Sequence, residues 1–407
     1  MEAVSQSISK LLRSRKRAKQ SSGLPEELCR RFSLAEIKRA TNNFPKDLLI
    51  GRGDYGSVYK GRICIDVRTI NVAIKRLRFG SSRGFDVFRN ELLLVCQLSH
   101  PNIVLFIGYC IDEPKMILDY EFMVNGSLSD RLFVTDSDRD PLPWKQRLQI
   151  CIGVACGLHY LHTGVKHCII HCDLKTGSIL LDEKWEAKLS DFGFSKMGPP
   201  SLSKDLIRIE TGVTGTAVNI DPECFLSGQL TDESDVYSFG LLLLEILSGS
   251  RVNDAKCELM GLIHWTRKCT REGTINQIID PYLMGKIAPE CFKIYMDIAT
   301  SCLRRKGTQR PTISEVELSL EHALQMQESS DMDPGIGGGD QYMYPILEYT
   351  GTDSPPEEEE SIRYCASSTS AGSSFYFNVP EEDESVCKSG SSTSARLSLD
   401  NATPIGQ

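Results

Sequence analysis

The chain has 407 residues, a net charge of −8 and 41 % hydrophobic residues, which indicates a globular core rather than wholesale disorder. The acidity is local: residues 326–407 carry fifteen acidic against three basic side chains, so residues 1–325 are mildly basic. No apolar run reaches roughly eighteen residues, which argues against a membrane-spanning helix. The N-terminus lacks a secretory h-region and the fifteen cysteines are scattered, so we expect reduced thiols in a cytoplasmic protein.

Residues 1–31 form a polar, basic arm that we expect to be disordered. Its cluster consists of Lys10, Arg13, Arg15, Lys16, Arg17 and Lys19. Two interpretations stay open, a solvated arm and a peripheral contact with the anionic inner face of the plasma membrane, where each basic group adds roughly 1 kcal/mol. No aromatic residues interleave the charges, so we expect no nucleic-acid partner. Glu2 stands where N-myristoylation requires glycine, so that modification is not expected.

Residues 32–325 have the composition of a folded domain, with a change of pattern near its middle. Short β-branched runs alternate with turns over residues 48–120, interrupted by one helical stretch at 85–98. This predicts a small antiparallel sheet with one helix, over about residues 44–120. The part from about 126 to 325 is mainly helical, and 239–247 is apolar on all sides, as in a buried helix. The fold class predicted is therefore α+β, with two lobes.

Residues 326–407 predict a disordered tail that is acidic and rich in serine and threonine. The tail contains a triple glycine at 337–339 and acidic runs at 357–360 and 381–384. Few apolar side chains are available there to offset the entropy lost on ordering.

A glycine pattern, Gly51-x-Gly53-x-x-Gly56-x-Val58, lies between two strand-like runs. Because no helix follows it, the pattern disfavours a dinucleotide site. An ordinary tight hairpin and a hairpin whose backbone N–H groups cover phosphates both fit these residues alone. For a nucleotide site, the predicted contacts from this hairpin and the following strand are Ile50, Gly51, Arg52, Gly53, Asp54, Tyr55, Gly56, Ser57, Val58, Ala73 and Lys75.

Lys75 favours the nucleotide interpretation. It ends the apolar run Val72-Ala73-Ile74 at the spacing of the next strand, where a lysine facing inward needs an anion. ATP phosphates and a carboxylate both meet that need, and Glu91 in the helical stretch is the candidate carboxylate.

Three further charged residues follow in order, Asp173, Lys175 and Asp191. Asp173 in His171-Cys172-Asp173 is the candidate to orient the substrate hydroxyl and accept its proton. Lys175 would neutralise the transferring phosphoryl group and is the residue expected of serine/threonine kinases. Asp191 of Asp-Phe-Gly is the candidate Mg²⁺ ligand. The ordered set predicts a phosphoryl-transfer enzyme of the protein-kinase type.

Residues 32–325 resemble the plant receptor-like kinases of the Pelle/interleukin-receptor-associated class. The resemblance rests on the segments Phe32–Ile37, Ala40–Phe44, Gly157–His162 and Ser234–Gly240. Trp144–Leu148 and His162-Thr163-Gly164 are most similar to the malectin-like (FERONIA-type) receptor kinases. The resemblance implies a two-lobed protein kinase fold, Mg·ATP (with Mn²⁺ as the alternative metal), protein substrates and other receptor kinases as partners.

The resemblance also implies roles for individual residues. Tyr120 would be the gatekeeper beside the adenine, and Glu121 to Met123 the hinge. Asp235 would hold the catalytic loop, and Glu223 would pair with Arg310. The activation segment offers three phosphorylation candidates, Thr211, Thr214 and Thr216.

Three positions depart from the family pattern. Cys172 replaces the usual arginine beside the catalytic aspartate, which casts doubt on control by loop phosphorylation. Ser178 replaces the usual asparagine, a Mg²⁺ ligand, and its shorter side chain predicts a weakened metal site. Val218-Asn219 replaces Gly-Tyr before Asp221-Pro222-Glu223, which predicts a distorted substrate platform.

Two functions stay open at this point. The first is an active serine/threonine kinase that phosphorylates proteins in receptor-type signalling. The second is a catalytically weak or inactive pseudokinase that acts as a docking protein, with the three departures as signs of relaxed catalytic demand. A dehydrogenase or other nucleotide enzyme would leave the Asp-Phe-Gly and Asp-Pro-Glu segments unexplained.

Overall fold

The computed structural model describes residues 29–53, 55–65, 68–77, 82–112, 115–133, 140–200, 207–208, 221–251, 261–332 and 342. Several predictions concern residues outside these ranges: those for the basic cluster, Asp54, the three activation-segment threonines, Val218-Asn219 and most of the acidic tail.

In the described residues, the N-terminal lobe is built on a six-stranded sheet. Its strands are β1 (Arg30–Arg31), β2 (Leu49–Gly53), β3 (Gly56–Ile65), β4 (Arg68–Leu77), β5 (Phe106–Asp112) and β6 (Lys115–Glu121). They lie in the order β1-β5-β6-β4-β3-β2, and only the β1–β5 pair is parallel. β3 and β4 pair in continuous register, which sets Lys75 opposite Val58 and beside Leu118 of β6.

A short helix, α1 (Leu34–Ala40), covers the outer face of this sheet. It begins at Ser33, whose hydroxyl accepts the Glu36 N–H while the Glu36 carboxylate accepts the Ser33 N–H, a reciprocal capping box. Ile37 of the helix is fully buried against strand residues such as Ile74. The lobe therefore has a second helix beside the one predicted.

The longer helix, α2 (Ser82–Val95), covers the inner face, and it starts and ends three residues before the predicted stretch 85–98. Its residues Phe88, Leu92 and Val95 recur at helical spacing and pack into the main core. This packing places Glu91, which is on the same helix, at the inner face of the sheet.

The C-terminal lobe is mainly helical. Its helices are α3 (Leu128–Leu132), α4 (Trp144–His159), α5 (Pro222–Ser227), α6 (Asp232–Ser248), α7 (Gly261–Glu272), α8 (Pro289–Cys302) and α9 (Ile313–Asp331). α6 is buried along nearly its whole length, which confirms the prediction of a central helix around residues 239–247. The predicted two-lobed α+β architecture is confirmed.

Short two-stranded sheets lie before and after the loops that carry the predicted catalytic residues. These strands are β7 (His167–Ile170), β8 (Ile179–Leu181), β9 (Ala187–Leu189), β10 (Lys196–Pro200), β11 (Ile207–Arg208) and β12 (Gln229–Leu230). β7 pairs with β10, β8 with β9, and β11 with β12. The loop 171–178 therefore leaves one pair and enters the next, and the loop 190–195 lies directly after β9.

Helix α9 continues to Asp331, past residue 325 where the sequence analysis placed the end of the domain. The extra turns are anchored by Gln327, a buried side chain whose Oε1 accepts the Ala288 N–H at 2.8 Å. Lys145 of α4 pairs with Asp331 at 3.0 Å. At the other end, β1 precedes the predicted start at Phe32 and joins the sheet by pairing with β5, and Cys29 just before it packs against the core.

None of the helices in the described ranges is both long and apolar enough to cross a lipid bilayer. Buried thiols serve as small apolar groups in the two lobes, at Cys110, Cys151, Cys224, Cys269, Cys291 and Cys302.

Candidate active site

The β2–β3 hairpin carries the three glycines, with Gly51 opposite Val58 and Gly53 opposite Gly56. A Cβ at Gly56 would stand 2.5 Å from the carbonyl oxygen of Arg76, so glycine is needed for β3 to approach β4. A Cβ at Gly53 would meet no described atom within 4 Å. Packing therefore explains why position 56 requires glycine. It does not explain the glycine at position 53, which faces open space.

The other predicted nucleotide contacts of the hairpin differ in exposure. Ile50 and Arg52 are exposed, whereas the half-buried group comprises Tyr55, Ser57, Val58 and Ala73. The ring of Tyr55 meets Phe194 edge-to-face, with centroids 5.3 Å apart. This contact joins the hairpin to the segment that follows Asp191.

Lys75 lies at the centre of a cluster of charges. Its Nζ is 2.8 Å from both carboxylate oxygens of Glu91 and 2.9 Å from Oδ1 of Asp191. The Glu91 side chain is 1 % exposed and that of Asp191 is 47 % exposed. The structure thus brings three sequence-predicted residues together, from β4, α2 and the loop after β9.

The ionisation of this cluster follows from its geometry. Desolvation acts against the Lys75 ammonium, but Asp191 and Glu91 outweigh it and raise the pKa of Lys75 above its usual range. Desolvation also acts against the Asp191 carboxylate, yet nearby positive charge, mainly Lys75, lowers the pKa of Asp191. Lys175 contributes to that lowering, so its ammonium belongs to the same electrostatic site.

Tyr120, the predicted gatekeeper, is buried and contacts this cluster. Its hydroxyl donates a 2.7 Å hydrogen bond to Oε1 of Glu91. Burial, followed by the charge of Glu91, raises the pKa of Tyr120 well above its usual value, so the hydroxyl stays a donor. Glu91 is thereby held by the ammonium of Lys75 and the hydroxyl of Tyr120.

The carboxylate of Glu121, a predicted hinge residue, binds groups outside the Lys75 cluster. Its Oε1 accepts from the Leu105 N–H at 2.8 Å and from Lys188 Nζ at 2.9 Å. Met123 is buried, and its carbonyl accepts the Gly126 N–H. The side chain of Glu121 therefore joins β6 to the segment before β5 and to β9.

The loop 171–178 holds Asp173 and Lys175 in contact, with Lys175 Nζ donating to Asp173 Oδ2 at 2.6 Å. Asp235 of the buried helix α6 holds the backbone of this loop by hydrogen bonds. Its carboxylate accepts the N–H groups of His171 at 2.7 Å and Cys172 at 3.0 Å, and lies 2.9 Å from His162 Nε2. The structure places Asp235 where the family resemblance implied.

Two residues of the site have left-handed backbone conformations, Cys172 with φ 68° and Asp191 with φ 65°. Non-glycine residues adopt this region rarely and only where their surroundings hold them there. At Cys172 that support comes from two hydrogen bonds, which the backbone N–H groups of His171 and Cys172 donate to the Asp235 carboxylate.

Residues 46–320 match the sequence profile of the family described as protein tyrosine and serine/threonine kinase. The chain belongs to this protein kinase family. Its kinase region is 47 % identical to the receptor-like protein kinase FERONIA of Arabidopsis thaliana over 313 residues, which are 76 % of this chain and 34 % of that relative. It is also 47 % identical to the receptor-like protein kinase ANXUR2 of Arabidopsis thaliana over 324 residues, 78 % of this chain and 37 % of the relative.

The chain spans about a third of the length of these curated relatives. Within that span, the similarity confirms the resemblance to plant receptor-like kinases that the sequence motifs indicated.

Ser178 of the kinase is fully buried within the loop 171–178. Its hydroxyl lies 2.9 Å from the Lys175 carbonyl and 3.2 Å from the Asp173 carbonyl, and it accepts the Lys175 N–H at 3.1 Å. The serine thus braces the backbone around Asp173.

Cys172 of the kinase lies in an apolar cluster with Cys168, Cys224 and Leu230. Burial, followed by the charge of Asp235, raises the pKa of the Cys172 thiol well above its usual value. The Cys172 side chain is therefore a neutral thiol.

The predicted ion pair between Glu223 and Arg310 is wrong. The carboxylate that pairs with Arg310 is Asp221, at 2.6 and 2.8 Å in a bidentate contact that is almost fully buried. Glu223 accepts instead the backbone N–H of Gly307. Asp221 starts helix α5 and its carboxylate points into the lobe, whereas Glu223 lies further along the first turn.

Asn90 was missed by the sequence analysis, although it adjoins Glu91. Its Nδ2 lies 2.9 Å from the carbonyl oxygens of Gly193 and Ser195 and 3.3 Å from that of Phe192. A side chain at Gly193 would also collide with Val87 of α2, at 2.6 Å. Helix α2 and the Asp-Phe-Gly segment are therefore packed together.

The donor set of the cleft fits Mg·ATP. Mg²⁺ in phosphate sites is held by one or two carboxylates together with phosphate oxygens and water. Asp191 offers such a carboxylate, part-exposed and ionised, next to the Lys75 ammonium. Among the described residues, no group of three or more His, Cys, Asp or Glu side chains is arranged to hold a metal ion.

Proposed function

We propose that this kinase is catalytically active and transfers the γ-phosphoryl group of ATP to serine or threonine hydroxyls of proteins. The observation that supports this most strongly is the contact of Lys75 with both Glu91 and Asp191. A protein kinase requires the strand lysine, the helix glutamate and the Asp-Phe-Gly aspartate to be in place together. A protein that acted only as a scaffold would not need this arrangement.

The nucleotide would lie beneath the glycine hairpin. We assign phosphate binding to Lys75 and to backbone N–H groups of residues 51–56, because Gly53 leaves the approach open. Glu91 keeps the Lys75 ammonium in position, and Tyr120 keeps Glu91 in position. The remaining nucleotide contacts that we assign are Ile50, Arg52, Asp54, Tyr55, Ser57, Val58 and Ala73 from the hairpin strands, and Glu121 and Met123 from the hinge.

Asp173 would orient the substrate hydroxyl and accept its proton. It is 6 % exposed and bonded to Lys175, and so is held in one position before substrate binds. Lys175 would stabilise the negative charge on the phosphoryl group during transfer. A lysine at this position also supports serine/threonine rather than tyrosine specificity.

Asp191 would be the main protein ligand of Mg²⁺, which supplies charge neutralisation at the phosphates. Ser178 is the second candidate ligand. Its hydroxyl already bonds the loop backbone, so we propose that its remaining lone pair reaches the metal through a water molecule.

The test is γ-phosphate transfer from ATP to the kinase itself and to serine- and threonine-containing peptides, with Mg²⁺ and Mn²⁺ compared. Wild type and Asp173→Asn should be measured in parallel. Label incorporated by wild type alone would establish the activity. Equal background labelling in both proteins would overturn it and leave a pseudokinase that acts by docking.

We further propose, from the similarity to receptor-like kinases, that the protein substrates include other receptor kinases at the inner face of the plasma membrane. The basic residues between 10 and 19 would supply the contact with anionic lipid.

A further inference from the structure

Helix α7 of the C-terminal lobe has two opposite faces. The residues that face the lobe are Leu262, Thr266 and Cys269, all of them buried. Arg267, Lys268 and Arg271 are exposed, and helical geometry places them within about 100° of one another on the other side. The helix therefore presents three cations to solvent, which we call the basic face of α7.

Little negative charge offsets the basic face. The Nζ of Lys268 is 4.0 Å from Oε1 of Glu272, and both side chains are about half exposed, so this ion pair is weak. Within the described part of the chain, neither Arg267 nor Arg271 forms an ion pair with a carboxylate. The two guanidinium groups therefore remain available to an acidic ligand.

The C-terminal tail leaves from the same lobe. The backbone N–H of Tyr342 donates to the Gly285 carbonyl at 3.1 Å, and the Tyr342 side chain packs against the main core. After Tyr342 the sequence has eleven acidic and three basic side chains, and its first acidic run is 357–360, directly after Pro355-Pro356. The part of the chain with the opposite charge therefore starts beside Gly285.

The acidic run 357–360 is within reach of the basic face. Arg271 and Gly285 are fourteen residues apart along the chain, with 3₁₀ turns at 275–277 and 281–283, so at most about 40 Å separates them. The fifteen residues from Tyr342 to Glu357 span about 50 Å when extended, a conformation that the two prolines favour.

We propose that the acidic run 357–360 docks on the basic face of α7 within the same chain. Its four carboxylates are complementary in sign to the three cations, and each guanidinium can bind a carboxylate through two parallel hydrogen bonds. The docked run would compete with acidic partner proteins for this face. The proposal does not depend on phosphoryl transfer.

A second acidic run, 381–384, has the same number of carboxylates but follows Tyr342 by a longer linker. The effective concentration of a tethered group falls with the length of its linker once the linker can span the distance. We therefore assign the face to 357–360, and the second run serves as an internal comparison.

Carbodiimide coupling of the full chain provides the test, because it joins a carboxylate to a lysine amine without a spacer. Peptide mass spectrometry should find Lys268 linked to 357–360 in several-fold higher yield than to 381–384. A mixture of unlabelled and ¹⁵N-labelled chains should show that the link forms within one chain. The yield should fall several-fold when NaCl is raised, because exposed charges are screened.

Two double variants separate docking from simple reactivity. Arg267→Gln/Arg271→Gln keeps both reacting groups of the link and removes two of the three cations, so its yield at Lys268 should fall several-fold. Arg305→Gln/Lys306→Gln removes two exposed cations outside α7 and should leave that yield unchanged. Circular dichroism establishes that each variant is folded.

Four results would overturn the proposal. The first is that 357–360 links to lysines of the basic arm between residues 10 and 19 in place of Lys268. The second is that the links join different chains, which would make a second copy the occupant. The third is a yield that does not respond to the α7 variant or to salt, and the fourth is no link at Lys268.

Discussion

The side-chain amide of Asn90 lies 2.9 Å from the carbonyl oxygen of Gly193. Asn90 is the helix neighbour of Glu91, and Gly193 follows Asp191 by two residues. The amide therefore joins α2 to the Asp-Phe-Gly segment independently of the ion pairs of Lys75. Two separate contacts therefore keep Glu91 and Asp191 in the same arrangement.

Replacing Asn90 by alanine should weaken this arrangement without touching a charged residue. Losing a half-buried donor to backbone carbonyls costs about 1 to 3 kcal/mol, so we expect kcat/KM for phosphoryl transfer to fall about tenfold or more. Steady-state kinetics of Asn90→Ala measure this. Asn71→Ala, at an exposed position of β4, is the control, and equal activity in the two variants would contradict a positioning role for Asn90.

Replacing Ser178 by asparagine should lower the Mg²⁺ concentration needed for half-maximal activity several-fold and raise kcat. Asparagine can brace the loop through its amide group and still present its carbonyl oxygen to the metal. Titration of initial rate against Mg²⁺ measures both changes.

Ser178→Ala is the matched variant for that experiment, because it removes the brace and supplies no ligand. We expect its kcat to fall below that of wild type. If Ser178→Asn behaves as wild type does, the serine already supports a competent metal site.

Removing the Asp221 carboxylate should destabilise the C-terminal lobe far more than removing that of Glu223. Asp221→Ala leaves the buried Arg310 guanidinium without its counter-ion, at a cost of about 3 to 5 kcal/mol. Glu223→Ala loses a hydrogen bond from a backbone N–H, worth about 1 to 3 kcal/mol. Urea denaturation, monitored by tryptophan fluorescence, measures the free energy of unfolding of both variants. A larger loss of stability in Glu223→Ala than in Asp221→Ala would contradict the observed pairing.

Asp119 of β6 should make the stability of the protein depend on pH. Both carboxylate oxygens are buried and have no hydrogen-bond partner among the described residues, and burial raises the pKa of Asp119 to about 8. The folded protein therefore keeps the proton in a range where the unfolded chain releases it. The stability that the protonated form contributes is complete below the ordinary aspartate pKa and is lost as the pH rises toward 8.

Asp119→Asn cannot titrate, so the excess stability of this variant over wild type should grow between about pH 5 and pH 8. Because only one proton is involved, this difference in stability can grow by at most about 1.4 kcal/mol per pH unit, or about 4 kcal/mol over that range. Burial raises the pKa of the nearby Cys110 to about 11, so that thiol stays neutral throughout. The control is Asp112→Asn, an exposed carboxylate of β5, and parallel stability curves for wild type and Asp119→Asn would refute the expectation.

The architecture and the order of the charged residues were predictable because each depends on a local pattern. Short β-branched runs between turns indicate the sheet, the apolar run indicates the buried helix α6, and Lys75 in an apolar strand indicates an anion nearby. The pairing of Lys75 with Glu91 was predictable for a further reason, since few carboxylates lie on the helix that covers the inner face.

The details that were not predicted depend on the direction of neighbouring side chains. Asp221 and Glu223 are both acidic and two residues apart, and their sequence does not show which one faces Arg310. The same holds for Asn90, whose role requires the loop 192–195 to lie against α2. Helix α1, by contrast, had a sequence signal that could have been used, because Ser33 and Glu36 have the spacing of a capping box.

The hydrogen bond from Tyr120 to Glu91 also has a consequence for engineering. Shortening Tyr120, the predicted gatekeeper, would leave room for a bulkier ligand group behind the adenine. Here the shortened side chain would enlarge the cleft and, at the same time, remove a donor from a buried carboxylate. An inhibitor-sensitized version of this protein therefore needs a ligand whose added group donates a hydrogen bond to Glu91.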